Sequence, residues 1–130
     1  MEKAPRESRI KKASGPRRVV AATRYSMQGM IRCWQEEAFR TEAVAFGLGL
    51  LLFVLIGADL FHYLVYAVLM LVLFAVEALN TAIEELVDRI SPEISTVGRH
   101  AKDLGSFAVF CLLCANGLFV LWSIYDIAIR

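Results

Sequence analysis

Apolar residues gather along this chain in three uncharged blocks, 43–58, 63–76 and 104–125, separated by short polar stretches. Blocks of this length and uniformity predict membrane-spanning helices rather than the core helices of a soluble domain. The spans are expected at about 42–58, 61–87 and 101–126, with a polar loop at about 88–98 that contains Ser91, Pro92 and Gly98. The first block is short, so its flanks are expected to contribute to the crossing. Gly47, Gly49 and Gly57 within or beside it are small enough for close helix approach. Upstream, residues 17–40 follow a helical period instead: Val20, Met27, Ile31, Trp34 and Ala38 share one side, and Arg18, Tyr25, Arg32 and Glu36 the other. That predicts an amphipathic helix on the membrane surface, with Trp34 at headgroup level. Residues 1–16 mix Lys, Arg, Glu, Ser, Gly and Pro with little to bury, and read as a disordered basic tail near anionic headgroups. The fold class expected is an all-α membrane protein, one surface helix followed by three transmembrane helices.

The second span breaks the apolar rule at its end. In Glu77-Ala-Leu-Asn80-Thr81-Ala-Ile-Glu84-Glu85-Leu-Val-Asp88-Arg89, the carboxylates Glu77, Glu84 and Asp88 fall within roughly 40° of one another at ~100° per residue, flanked by Asn80 and Thr81. About twenty residues of span place Glu77 still below the membrane surface and Glu84, Glu85 and Asp88 at or beyond it. A carboxylate at that depth costs about 3 kcal/mol on insertion scales and marks a functional site by default. In the third span Asn116 is the one strongly polar interior residue, expected to bond a neighbouring helix.

Net charge is only +1, but its distribution is informative. Ten of the fourteen Lys and Arg lie at or before Arg40, three lie between Arg89 and Lys102, and the last is Arg130. The turn Asp59-Leu-Phe-His62 carries neither Lys nor Arg. The positive-inside rule then predicts a cytoplasmic N-terminus and 88–98 loop, and an outer 59–62 turn and C-terminus. His62 reads as an interfacial polar residue. Cys33, Cys111 and Cys114 have no framework spacing and are expected to pack simply. A signal peptide is not expected, because about forty largely polar residues precede the first apolar run. No Gly-rich phosphate loop, dinucleotide fingerprint or zinc-ligand cluster occurs, and the basic residues are not interleaved with aromatics on a folded domain. A soluble nucleotide-binding fold and a nucleic-acid partner are disfavoured.

Two polar sets therefore meet at the inner boundary: Glu77, Asn80, Glu84 and Asp88, and Lys102 with Asp103. The polar side of the surface helix, including Arg18, Tyr25 and Glu36, can lie at the same depth. Carboxylates beside Lys and Arg are the ingredients for a divalent metal with a polyphosphate. Mg²⁺ keeps several waters and takes one or two protein carboxylates plus phosphate oxygens, so Glu36 and Glu84 suffice. Phosphoryl transfer needs mainly positioning and charge neutralisation. Glu77, deeper than the rest, suits a group that takes a proton from a lipid hydroxyl. The other reading, in which Glu77, Asn80 and Glu84 glue helices together or pair with Lys102, Arg99 or Arg40, stays open on periodicity alone.

At three blocks the sequence resembles the small integral-membrane diacylglycerol kinases of Gram-negative bacteria, relatives of the undecaprenol kinases. The blocks are Glu77-x-x-Asn80-Thr-Ala-Ile-Glu84-x-x-Val-Asp88-Arg89, Ala101-Lys102-Asp103-x-Gly105-Ser106, and Glu36-x-x-Phe39-Arg40-x-Glu42. The resemblance covers roughly Arg17 to the C-terminus. It implies a homotrimeric helical bundle in the inner membrane, a kinase that transfers the γ-phosphoryl group of MgATP to diacylglycerol to give phosphatidic acid. It implies Glu77 as general base, Glu36 and Glu84 as Mg²⁺ ligands, and nucleotide contacts from Arg18, Tyr25, Glu36, Glu84, Glu93, Lys102 and Asp103. Arg40, Glu42, Asn80 and Ser106 would shape the active site or its lipid contact. One departure is the loop Ser91-Pro-Glu93-Ile94-Ser95, which stands where the family usually carries a His; here His100 follows a few residues later. Three apolar helices cannot by themselves surround so many acids, which independently favours an oligomer. The alternatives are an undecaprenol kinase or, outside enzymes, a small membrane subunit or cation transporter.

Overall fold

The computed structural model describes residues 14–93 and 95–130, and these form four α-helices: α1 Pro16–Trp34, α2 Glu37–Leu55, α3 Leu60–Ile90 and α4 Thr96–Ala128. Most of the tail expected at 1–16, and Ile94 of the loop, lie outside the described residues. The chain divides into two compact units, residues 1–32 and 33–130. The first holds most of α1, along which Val20 and Tyr25 are exposed. The second holds α2, α3 and α4, each long and apolar enough to cross a membrane.

Helix boundaries differ from the sequence reading at two places, each for a local reason. The first helix stops at Trp34, and Glu36, extended at φ −81° and ψ 133°, is the N-cap of α2. Residues 37–40, read with the surface helix, therefore open the first span. The Arg40 side chain stitches this break, with Nη1 donating to the carbonyls of Trp34 at 3.0 Å and Gln35 at 2.9 Å. At the loop, α3 runs on to Ile90 and α4 starts at Thr96, because the Ser95 hydroxyl caps the new helix by accepting from Gly98 N at 3.0 Å. Gly98, read as a turn former, thus sits inside the first turn of α4, where a β-carbon would press on Ser95 Oγ and Val87 Cγ1, each 2.9 Å away.

Lengths fix what the helices can reach. The 31 residues of α3 and 33 of α4 extend roughly 46 and 50 Å at ~1.5 Å per residue, against a hydrocarbon core of ~30 Å. Each must project well past one side of a bilayer, whereas the 19 residues of α2 just span it. A Schellman motif ends α2: Ala58 N donates to Phe53 O at 2.9 Å and Gly57 N to Val54 O at 3.3 Å, with Gly57 at φ +71°. Gly57 is thus a helix stop, not a packing glycine. Gly47 has open space where its β-carbon would be, and Gly49 alone of the three meets a neighbour.

That neighbour is Tyr66 of α3. Its ring lies over Gly49 and its hydroxyl donates to Ala45 O at 3.2 Å, so α2 and α3 approach where α2 has no side chain. Tyr66 joins Phe53, Met70, Leu73 and Val109 in the buried core, with Phe46, Phe74 and Phe119 around it. On α4, Asn116 Nδ2 donates to Leu69 O of α3 at 3.4 Å and to its own Leu112 O at 2.9 Å, the interhelical bond expected of it. Many large side chains facing away, including Leu48, Leu51, Leu64, Leu71 and Leu118, are exposed, as lipid-facing positions are.

At the end of α3 opposite the acids, His62, read as an interfacial polar residue, is fully buried within the protein. It stacks on Trp122, with ring centroids 5.6 Å apart, and its Nδ1 lies 2.7 Å from Asp59 Oδ1. Arg130 completes the clasp, donating to Asp59 Oδ2 at 2.8 Å and Asp126 Oδ2 at 2.6 Å. Arg130 and then His62 hold the exposed Asp59 carboxyl down at about 2, against an ordinary 3.8.

Two outcomes follow from this packing. Gly49→Ala forces a methyl into the Tyr66 ring and is expected to lower stability by about 1–3 kcal/mol, measured by thermal unfolding in micelles. For Asp59, a depressed folded-state value means that its contribution is fully present above pH 3.8 and is lost as pH falls through about 2. Asp59→Asn should therefore unfold at lower temperature than the parent near neutral pH, and the gap should close toward pH 2.

Candidate active site

Helix α3 builds the site by its period. Its buried polar residues Glu77, Asn80 and Thr81 lie on one side, with Glu84 one turn further on and half-buried. Glu77 is roughly 26 Å along the axis from Leu60 at ~1.5 Å per residue, still short of a ~30 Å hydrocarbon core, whereas Glu84 is roughly 36 Å along and past it. An unbroken helix thus keeps Glu77 and Glu84 roughly 10 Å apart along its axis.

A cavity of about 620 Å³ opens over this stripe. Glu36, Glu37, Thr41 and Glu42 reach it from the start of α2; Glu77, Asn80, Thr81 and Glu84 from α3; Ser106, Val109, Phe110 and Leu113 from α4. Glu42 is buried and its Oε2 has no hydrogen-bond partner. Glu77 is within electrostatic reach of Glu84 and Glu36, and Glu42 within reach of Glu77. Glu84 accepts from Asn80 Nδ2 at 3.2 Å. No Lys, Arg or His pairs with Glu42, Glu77 or Glu84 among the described residues. The cavity therefore has acidic oxygen donors at one side and an apolar wall, Val109, Phe110 and Leu113, at the other.

A second cavity of about 230 Å³ adjoins the loop and is lined by Asp88, Ser91, Glu93, Ser95, Arg99, Lys102 and Asp103. Lys102 Nζ donates to Asp88 Oδ1 at 2.5 Å, which joins α3 to α4 at this level. Lys102 thus pairs with Asp88 rather than with Glu77 or Glu84. Ser91 Oγ donates to Ser95 Oγ at 3.1 Å and shapes the loop beneath Glu93.

The structure gathers most of the expected residues into these two neighbouring cavities. Glu36, Glu42, Glu77, Asn80, Glu84 and Ser106 line the larger, and Glu93, Lys102 and Asp103 the smaller. Arg40 lines neither; it faces a separate surface dent with Glu37, Thr41 and Val44 while it holds the break before α2. Arg18 and Tyr25 belong to the other unit, where both are exposed on α1. The sequence reading missed the wall of Val109, Phe110 and Leu113. The signal was available: these positions follow Ser106 at helical spacing and so share its side of α4.

Comparison with known proteins places the chain among relatives of one name. The profile of prokaryotic diacylglycerol kinases matches residues 24–124. A diacylglycerol kinase of Sinorhizobium sp is 48% identical over 115 residues, which is 88% of this chain and 84% of that protein. One from Pseudomonas aeruginosa is 40% identical over 113 residues, covering 82% of this chain and 87% of the relative. The diacylglycerol kinase of Escherichia coli K12 is 33% identical over 114 residues, covering 85% and 93%. A three-span helical chain that carries its acids in a cavity at the end of the second span, and matches these proteins over nearly its whole length, belongs to the prokaryotic diacylglycerol kinase family.

Proposed function

We propose that this chain is a diacylglycerol kinase that transfers the γ-phosphoryl group of MgATP to the free hydroxyl of diacylglycerol, acting as a homotrimer in the bacterial inner membrane with its N-terminus cytoplasmic and its C-terminus periplasmic. The observation that carries the reading is the larger cavity: carboxylates from α2 and α3, without a protein cation on Glu42, Glu77 or Glu84, beside an apolar wall. Uncompensated carboxylates at a membrane boundary are costly unless a cation joins them.

Among the described residues, no group of three or more His, Cys, Asp or Glu side chains is arranged to hold a metal alone. Glu36 and Glu84 both line the larger cavity, which suits Mg²⁺ held by these two carboxylates and completed by phosphate oxygens and water, as this small hard cation prefers. When bound, Mg²⁺ supplies charge neutralisation on the phosphates. Lys102 and Asp103, with Glu93, take the nucleotide in the adjoining cavity; Lys102 exchanges its Asp88 partner for phosphate oxygen.

Glu77 lies deeper than Glu84 along α3, where the hydroxyl of a bilayer lipid resides, and serves as general base. It accepts the hydroxyl proton as the lipid oxygen bonds to the γ-phosphorus and the bond from that phosphorus to the bridging oxygen breaks, leaving ADP with the electron pair. Val109, Phe110 and Leu113 receive the apolar part of the lipid, and Glu42, Ser106 and Asn80 shape the polar side. Arg40 acts indirectly, by holding the start of α2 and with it Glu36 and Glu42. Adjacent subunits shield the acids that three helices leave open.

Glu77→Gln keeps the shape of the side chain and removes the base. It is expected to lower turnover by at least about 10²-fold while MgATP binding and the trimer persist. Phosphate transfer from ATP to diacylglycerol in micelles, with nucleotide binding and sedimentation alongside, checks this; near-parental activity would sink the assignment. In the same assay diacylglycerol is expected to outperform undecaprenol. Preference for the polyprenol would move the chain to that branch, and ion flux in liposomes without lipid-dependent ATP use would make it a transporter.

A further inference from the structure

The buried amide of Asn80 has two unlike ends. Its Nδ2 donates to Glu84 Oε1 at 3.2 Å, while its Oδ1 is buried without a hydrogen-bond partner. That oxygen points at α4 and occupies the volume that a β-carbon would fill at Gly105, which is itself buried. Asn80 Cγ, at 3.2 Å from the same position, is also crowded there. Only a residue without a side chain leaves this space, and the oxygen meets backbone C–H instead, at most a weak acceptor contact.

Which way this amide points matters to Glu84. With Oδ1 lodged against Gly105, the N–H₂ group is turned to the carboxylate, as a donor must be. Reversed, two oxygens would face each other across the same gap, and Glu84 would lose its hydrogen bond from Asn80. A methyl at residue 105 projects from the helix backbone and cannot swing aside, so Asn80 has to rotate or withdraw.

We propose that Gly105 is a positioning residue of the kinase site: by leaving room for the Asn80 carbonyl it orients the amide that holds Glu84 in place for the metal–nucleotide. Gly105 touches no substrate and acts through Asn80. This rests on the proposed role of Glu84. It predicts that a side chain at 105 weakens binding of metal–nucleotide and spares proton transfer to Glu77, which sits elsewhere in the cavity.

The test uses Gly105→Ala, Asn80→Ala and the double variant in detergent micelles, with Mn²⁺ binding in the presence of ATP followed by electron paramagnetic resonance, and with MgATP kinetics in parallel. Gly105→Ala is expected to weaken Mn²⁺ binding by about tenfold, the usual loss when a ligand's supporting partner is removed, and to raise KM for MgATP while kcat changes little. Asn80→Ala should weaken Mn²⁺ binding comparably, and the double variant should bind no worse than Asn80→Ala alone, since the methyl then strikes nothing. Parental Mn²⁺ binding in Gly105→Ala, or losses that multiply in the double variant, would overturn the proposal. Should Gly105→Ala not fold, the double variant must fold and bind as Asn80→Ala does; its failure would overturn the proposal too. If the parent itself binds no Mn²⁺ with ATP, the kinase reading of Glu84 fails instead, and relief of the Gly105→Ala stability loss by Asn80→Ala still scores the contact.

Discussion

A carboxylate at the edge of a bilayer must be given a partner or surrender its charge, and this molecule is organised around that constraint. It answers in two opposite ways. At one end of α3, Asp59 and Asp126 are matched by Arg130 and by the buried His62. At the other, Glu42, Glu77 and Glu84 line one cavity, and no protein cation pairs with these three among the described residues. Residues of the same chemical type are compensated where they close a helix pair and left uncompensated where the cavity lies. The second condition costs stability and is retained where a ligand supplies the missing charge.

The packing that sustains this arrangement uses absence of side chains as much as their presence. Lipid tails are as apolar as leucine, so burial of apolar surface gives helices little reason to associate in a bilayer. Close approach and interhelical hydrogen bonds must do so. Tyr66 lies over Gly49 and bonds Ala45 O; Asn80 lodges against Gly105; Asn116 reaches Leu69 O. Each couples a polar side chain of one helix to the bare backbone of another. In the middle case the same contact aims an amide at Glu84, so packing and the geometry of the site are one interaction there.

Depth supplies the division of labour. Because α3 continues unbroken for 31 residues, Glu77 remains within the thickness of a hydrocarbon core while Glu84 and Asp88 emerge from it. In the proposed reaction a lipid acceptor and a water-soluble donor approach from opposite sides of that boundary. The apolar wall of Val109, Phe110 and Leu113 faces the acids across the larger cavity, and Lys102 and Asp103 line the smaller one next to the loop.

Much of this was legible in the sequence, because the properties involved are local and periodic. Hydropathy blocks determined the three spans, the helical period put Glu77, Asn80 and Glu84 on one side of α3, and block spacing pointed to the family. Local capping chemistry was harder to read: the stop after Trp34 and the Ser95 cap moved helix ends that hydropathy alone cannot resolve. Tertiary structure alone decided partners. It gave Lys102 to Asp88, buried His62 under Trp122, and made Gly49 and Gly105 contact points while Gly47 stayed open. A side chain's partner depends on the rotation and crossing of two helices far apart in sequence, and periodicity within one helix carries no information about either.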